Sequence, residues 1–150
     1  ARMLNPFVLR TAVPPLAGVE GQRVVGVRRL GKRIVLELAN GWFIVIHLMI
    51  AGRLRWISAT AKPPGGKLSL ASFEFDNGQL VLTEAGTTRR ASIHVLPDAA
   101  TLAAMDPGGI DVLTSSFEAF STQLQRENHT REELMAGAYL RDVYEKYGVL

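Results

Sequence analysis

Up to about Leu96 the apolar positions recur with the two-residue period of β-strands, and beyond Pro97 they shift to a helical period. The run Arg23–Trp56, RVVGVRRLGKRIVLELANGWFIVIHLMIAGRLRW, carries the clearest pattern and reads as three antiparallel strands. Val24, Val25 and Val27 lead into a basic turn, Arg28-Arg29-Leu30-Gly31-Lys32-Arg33. Ile34, Leu36 and Leu38 then alternate with Val35, Glu37 and Ala39. Asn40-Gly41 predicts a hairpin, because both residues tolerate positive φ. Trp42-Phe43-Ile44-Val45-Ile46 returns as a nearly continuous apolar strand, the pattern of burial on both faces. It ends at His47, and Leu48-Met49-Ile50-Ala51-Gly52 bends the chain into Arg53-Leu54-Arg55-Trp56.

Around this platform the signals are shorter. Asn5-Pro6 is a turn signal, Phe7-Val8-Leu9 a short strand or core-packing piece, and Pro15–Gly21 one helical turn. Pro63-Pro64-Gly65-Gly66 marks a loop. Leu70–Phe75 alternates like a half-buried strand, Asp76-Asn77-Gly78 is a second hairpin turn, and Gln79–Thr83 is the returning partner. Glu84-Ala85-Gly86-Thr87-Thr88 reads as a polar loop before a last strand, Arg89–Leu96. Asp98 is placed to cap a short helix, Ala99–Met105. Thr114 or Ser115 is placed to cap a second, with Phe117, Phe120 and Leu124 on one face. Thr130-Arg131-Glu132-Glu133 has the form of a capping box opening a third. The expected fold is mainly β with C-terminal helices (α+β): a two-layer antiparallel β-sandwich of seven or eight strands over about Val24–Leu96, then a short helical segment.

Composition narrows the class. A chain of 150 residues, 47% hydrophobic and 21% charged, has the make-up of a globular domain with a substantial core. No apolar run approaches the roughly 18 residues of a membrane-spanning helix, so no membrane partner is expected. The chain opens at Ala1 with no initiator Met and no signal-peptide pattern. With no cysteine, disulfides and thiolate zinc sites are excluded, and the expectation is a cytoplasmic protein without a metal or other cofactor. Charge is distributed unevenly under the net +3: Ala1–Arg55 holds nine Lys/Arg against two Asp/Glu, whereas Pro107–Leu150 holds four against seven. A polyanion partner is therefore sought on the first segment, with a solvated basic face as the plain alternative.

Several familiar chemistries find no support. Gly65-Gly66 and Gly108-Gly109 lack the glycine-lysine-serine/threonine ending of a phosphate loop. Ser115-Ser116 has no nucleophile-elbow pattern, and His94 and His129 are not spaced as metal ligands. Read singly, Lys32 is a hairpin lysine, His47 a strand-end histidine satisfied by backbone, Ile50 a core residue, and Arg89-Arg90 a solvated pair.

Taken together these residues resemble a family. GKRIVLEL, the hairpin into IHLMIAGRLRW, the FDNG turn, LTEAGTTRRAS and DPGGIDVL follow the order found in formamidopyrimidine-DNA glycosylases and endonuclease VIII-like enzymes. The resemblance covers about Leu4–Leu113, their N-terminal β-sandwich domain, and part of the helix–two-turns–helix module near Phe117–Glu133. It implies a sandwich domain over 1–113, a partial and atypical helical segment over 114–150, and a monomer in a bacterial cytoplasm. Such enzymes remove oxidised bases from double-stranded DNA and cleave the abasic site, as glycosylase and AP lyase. By resemblance, Lys32 lies beside the lesion backbone as the candidate catalytic residue, and His47 lies near a phosphate. Ile50 falls where an apolar side chain wedges into the gap left by a flipped base, and Arg89 where an arginine lines that gap. Arg53, Lys67 and Arg90 complete the candidate DNA-binding set.

The resemblance has departures. Family enzymes act through an N-terminal proline amine with a neighbouring glutamate and carry a four-cysteine zinc finger; this sequence shows neither, and Ala91 replaces the aromatic after the paired arginines. The expectation is thus a member of the repair-glycosylase family that does not itself excise bases. The alternatives are a non-catalytic DNA-binding remnant and an unrelated β-rich interaction domain.

Overall fold

The computed structural model describes residues 1–106, 108 and 114–125. Among these described residues, eight strands build two four-stranded antiparallel sheets. The strands are β1 (Arg2–Met3), β2 (Val24–Leu30), β3 (Arg33–Leu38), β4 (Phe43–His47), β5 (Gly52–Ile57), β6 (Ser69–Phe75), β7 (Gly78–Glu84) and β8 (Ser92–Leu96). One sheet has the order β2-β3-β4-β8 and the other β1-β6-β7-β5. The expected β-sandwich is therefore found. The platform holds four strands rather than three, and the fourth, β5, lies in the other sheet, hydrogen-bonded to β7. Helices α1 (Ala99–Ala104) and α2 (Phe117–Gln125) follow. The chain divides into two units, Ala1–Asp106 and Pro107–Leu150. The expected helix from Thr130 lies outside the described residues.

Alternation along each strand sets which side chains meet. Leu36, Leu38, Ile44, Ile46, Ile93 and Val95 face Leu70, Phe73 and Leu82 in the main core between the sheets. The other face of the first sheet is also covered, which explains why β4 is apolar at every position but its last: Val35, Phe43, Val45 and Leu96 pack with Leu102 of α1. Strand β6 departs from the expected half-burial, with Ser69 through Phe73 all buried. Asp98 caps α1 as expected, accepting from Thr101 N at 2.7 Å, and that helix ends at Ala104. At α2 the Ser116 hydroxyl accepts from the first turn, from Ala119 N at 3.2 Å.

Both hairpin signals act differently from their sequence reading. Leu38 N donates to Trp42 O at 2.9 Å around Ala39-Asn40-Gly41, and only Gly41 takes positive φ, at 83°. Asn40 instead uses its side-chain oxygen, which accepts from Trp42 N at 3.1 Å. In the second hairpin Phe75 pairs with Gly78, so Gly78 opens β7 and Asp76-Asn77 make the turn. A Cβ at Gly78 would fall 2.4 Å from the Trp56 indole; this glycine makes room for a ring that also packs on Phe75 at 5.6 Å. Phe7 belongs to a short 3-10 turn, Pro6–Val8, and Leu9 makes an isolated parallel bridge to Ile93. The expected helical turn near Pro15 is a 3-10 turn, Leu16–Val19.

Candidate functional site

The register gathers the basic and wedge candidates at one end of the sandwich. Strand β2 turns into β3 through Gly31-Lys32, with Gly31 at φ 58°, so Lys32 sits exposed at the tip and Arg33 follows at the strand end. Arg33 pairs with His47, and His47 pairs with Ser92. From His47 the chain crosses to the second sheet at Gly52, which pairs with Glu84, the last residue of β7. The return crossover, residues 85–91, carries Arg89 and Arg90 back to Ser92. Arg53 pairs with Thr83, which pairs with Ser69, just after the 3-10 turn Gly66–Leu68 that holds Lys67. Lys32, His47, Ile50, Arg53, Lys67, Arg89 and Arg90 thus occupy strand ends or crossovers at this one end.

The loop from Leu48 to Gly52 is built to present a side chain. Gly52 N donates to Leu48 O at 2.9 Å, which closes a tight turn. Met49 adopts φ 54°, a left-handed conformation that costs a non-glycine residue roughly 1–3 kcal/mol and persists only where surroundings enforce it. Arg53 supplies such a brace, its guanidinium donating to Ile50 O at 3.2 Å and Gly52 O at 2.8 Å. Ile50 projects from the braced loop 83% exposed. The reading of Ile50 as a core residue is thereby corrected: its side chain contributes nothing to the core. Arg53 serves the loop with the same group that is free to reach an anion only at its remaining N–H donors.

Electrostatics at this end are cationic. His47 and His94 lie two residues from Val45 and Leu96 respectively and so share the outer face of the first sheet. Burial, then Arg33, then Lys32 push the His47 pKa below its ordinary 6.5. Burial, then Arg33, Arg10 and His47 do the same to His94. The Nδ1 of His94 is buried and finds no hydrogen-bond partner among the described residues. Arg33 itself is tied to α1, donating to Met105 O at 3.2 Å. Arg28 is engaged further along the sheet, paired with Glu37 at 2.9 Å and lying over the Phe43 ring.

Glu84 is the residue the sequence pattern hid. Read as part of a polar loop, it is instead the end of β7 and 1% exposed. Both its carboxylate oxygens accept from Arg90 N, at 3.1 Å, and from Ala91 N, at 3.2 and 3.3 Å. The alternation of β7 continued by one more residue was the available signal.

The far end of the sandwich is different. An open cavity of about 1090 Å³ lies between Val24, Leu36, Leu38 and Ile44 on one sheet and Phe73–Asn77 on the other. Ala1 lines it, at the opposite end of the sandwich from Lys32. Among the described residues no group of three or more His, Asp or Glu is placed to hold a metal, and no helix is long and apolar enough to cross a membrane.

A two-sheet antiparallel sandwich with a cationic, loop-bearing end defines the class: a β-sandwich domain suited to a polyanionic partner. Residues 2–91 match the model of the formamidopyrimidine-DNA glycosylase N-terminal domain, and the chain belongs to that family. It is 35% identical over 60 residues to a formamidopyrimidine-DNA glycosylase of Protochlamydia amoebophila, covering 40% of this chain and 21% of that protein. It is 31% identical over 86 residues to that of Solibacter usitatus, covering 56% and 31%. The chain therefore spans about a fifth to a third of these relatives' length. Its fold is similar to that of Lactococcus lactis FPG in complex with FAPY-dG-containing DNA, with a TM-score of 0.60 at 20% identity over 69% of this chain and 38% of that one. The same enzyme bound to DNA containing an oxidised pyrimidine matches equally.

Proposed function

We propose that this chain contacts damaged double-stranded DNA and serves base excision repair as the N-terminal platform of a formamidopyrimidine-DNA glycosylase-type protein. The convergence of Lys32, His47, Lys67, Arg89 and Arg90 around the braced Ile50 loop carries the reading. Cations at strand ends neutralise phosphates and set the register on the duplex without reading sequence. An exposed apolar side chain on a rigid loop wedges into the stack, and the phosphate contacts offset the unstacking cost of a few kcal/mol. The loop that leads to Lys67 is anchored at Pro64, whose carbonyl accepts from Ser69 Oγ at 2.7 Å, and at Ala59 and Ala61, whose carbonyls accept from the buried Gln79 side-chain nitrogen at 2.9 and 3.1 Å.

Ala1 lines the far cavity, away from the Lys32 end. Lys32 is the amine of this end nearest the wedge loop in the register, and Schiff-base formation there requires its deprotonated form. The test is titration of a duplex bearing an abasic-site analogue, against an intact duplex, followed by borohydride trapping on an abasic and on an oxidised-base substrate. The proposal expects tighter binding to the lesion duplex and no trapping with the oxidised base. Equal binding to both duplexes contradicts the damage-recognition reading; efficient trapping with the oxidised base contradicts the chemical one.

A further inference from the structure

We propose that Glu84 is a positioning residue for the arginine crossover: its buried carboxylate fixes the backbone of Arg90 and Ala91 and so sets where Arg89 and Arg90 point. The inference rests on the DNA-contact reading above. Strand β7 ends at Glu84 and β8 begins at Ser92, so the N–H groups of Arg90 and Ala91 fall outside the strand ladder. A carboxylate meets both, each oxygen within 3.1–3.3 Å of both nitrogens. Buried N–H donors are satisfied in folded proteins, and a carboxylate, with acceptors only, is the side chain that satisfies two neighbouring donors at once. Residues 85–88 are exposed, so this grip is the point at which the crossover is fastened to the sheet.

The placement of the fastening makes it more than a stabilising contact. Glu84 pairs with Gly52, the residue that closes the Ile50 loop. Its carboxylate holds the return crossover. One residue thereby links the strand bearing the wedge to the loop bearing the paired arginines, across the step between the two sheets. Two adjacent peptide planes held by one carboxylate also fix the Cα–Cβ directions at Arg90 and, through the shared peptide, at Arg89. The arginines then present their guanidinium groups without ordering the loop at the moment of binding, which is how preorganisation raises affinity.

The experiment is a double-mutant cycle on the full chain. Glu84→Gln is isosteric but replaces one acceptor oxygen with an NH₂ donor facing backbone donors. Affinity for a short duplex carrying a tetrahydrofuran abasic site is measured by fluorescence anisotropy across a salt series, for the parent, Glu84→Gln, the Arg89→Ala/Arg90→Ala pair and the triple variant. The expected result is about tenfold weaker binding for Glu84→Gln, with the log–log salt slope falling by roughly 0.9 for every phosphate no longer neutralised. On the arginine-less background Glu84→Gln should have no further effect. An additive loss on that background, or unchanged affinity where the arginine pair weakens binding, overturns the inference. Unchanged affinity on removing both arginines overturns the DNA-contact reading of the loop on which it rests. Amide exchange in the parent supplies a mutation-free check: Arg90 and Ala91 should exchange as slowly as Ile93, and exchange at the rate of the exposed loop would overturn the proposal even if Glu84→Gln did not fold.

Discussion

Gly52→Ala is expected to open the Ile50 loop and destabilise the domain by about 3 kcal/mol. The backbone leaves no room for the substitution: a Cβ at Gly52 would lie 2.3 Å from Leu48 O and 2.9 Å from Leu48 C and Cα. The obstacle is main chain and not the end of a flexible side chain. That same carbonyl accepts the Gly52 N–H at 2.9 Å, so moving it aside breaks the bond that closes the turn. Overpacking of this kind costs about 1–3 kcal/mol, and the broken hydrogen bond adds about 1 kcal/mol. For a domain of this size the sum lowers Tm by roughly 10–20 °C. Gly65→Ala is the control, because nothing lies within 4 Å of its Cβ position and its φ is −70°, so it should stay within about 0.5 kcal/mol of the parent. Urea unfolding of both variants, with DNA titration of the folded fraction, measures the effect. A Gly52→Ala midpoint equal to that of Gly65→Ala would refute the steric reasoning.

Three further outcomes are expected. Ile46→Ala, at a fully buried position in the main core, should cost about 2–5 kcal/mol in urea unfolding, whereas a loss under about 1 kcal/mol would mean the core is not packed as described. Ile50→Ala should leave stability within about 0.5 kcal/mol, since the side chain is 83% exposed, yet weaken binding to a lesion duplex; the reverse pattern would return Ile50 to the core. His94 and His47 have folded pKa values below 6.5, so the unfolded chain takes up protons first. The stability they contribute is present above that value and lost as pH falls through the folded values. Calorimetry from about pH 8 to 5 should show Tm falling, less steeply in His94→Gln, and parallel curves would contradict the assignment.

The strands and their turns were legible because alternation is a local signal. β3, β4 and the Asp98 cap could be written down from the residues alone. What escaped was decided by partners distant in the chain. Nothing in Arg53-Leu54-Arg55-Trp56 says which sheet receives it; its pairing with β7, well down the chain, does. Gly78 looked like a turn glycine because Asn-Gly is a turn signal, yet its missing Cβ accommodates the Trp56 indole. Glu84 looked like a loop residue because carboxylates are rarely buried; its two backbone donors lie across the step between sheets. Among the candidate site residues, Lys32, His47 and Arg89 came from the family pattern. Their shared end of the sandwich came only with the register. The brace that Arg53 gives the Ile50 loop depends on rotamers that sequence does not encode.

On the proposed reading, it is the cations at the Lys32–Arg89 end, not the excess of basic residues in general, that contact DNA. Arg23 offers the matched comparison, since it is exposed and lines the cavity at the opposite end. The measurement is the salt dependence of duplex binding for the parent, Arg23→Ala, and Lys32→Ala combined with Arg89→Ala. The account predicts a steep parent slope, unchanged by Arg23→Ala and reduced in magnitude by roughly 1.8 in the double variant, about 0.9 for each phosphate left without its cation. A flat parent slope, or a reduction per charge in Arg23→Ala equal to that of the double variant, would contradict it.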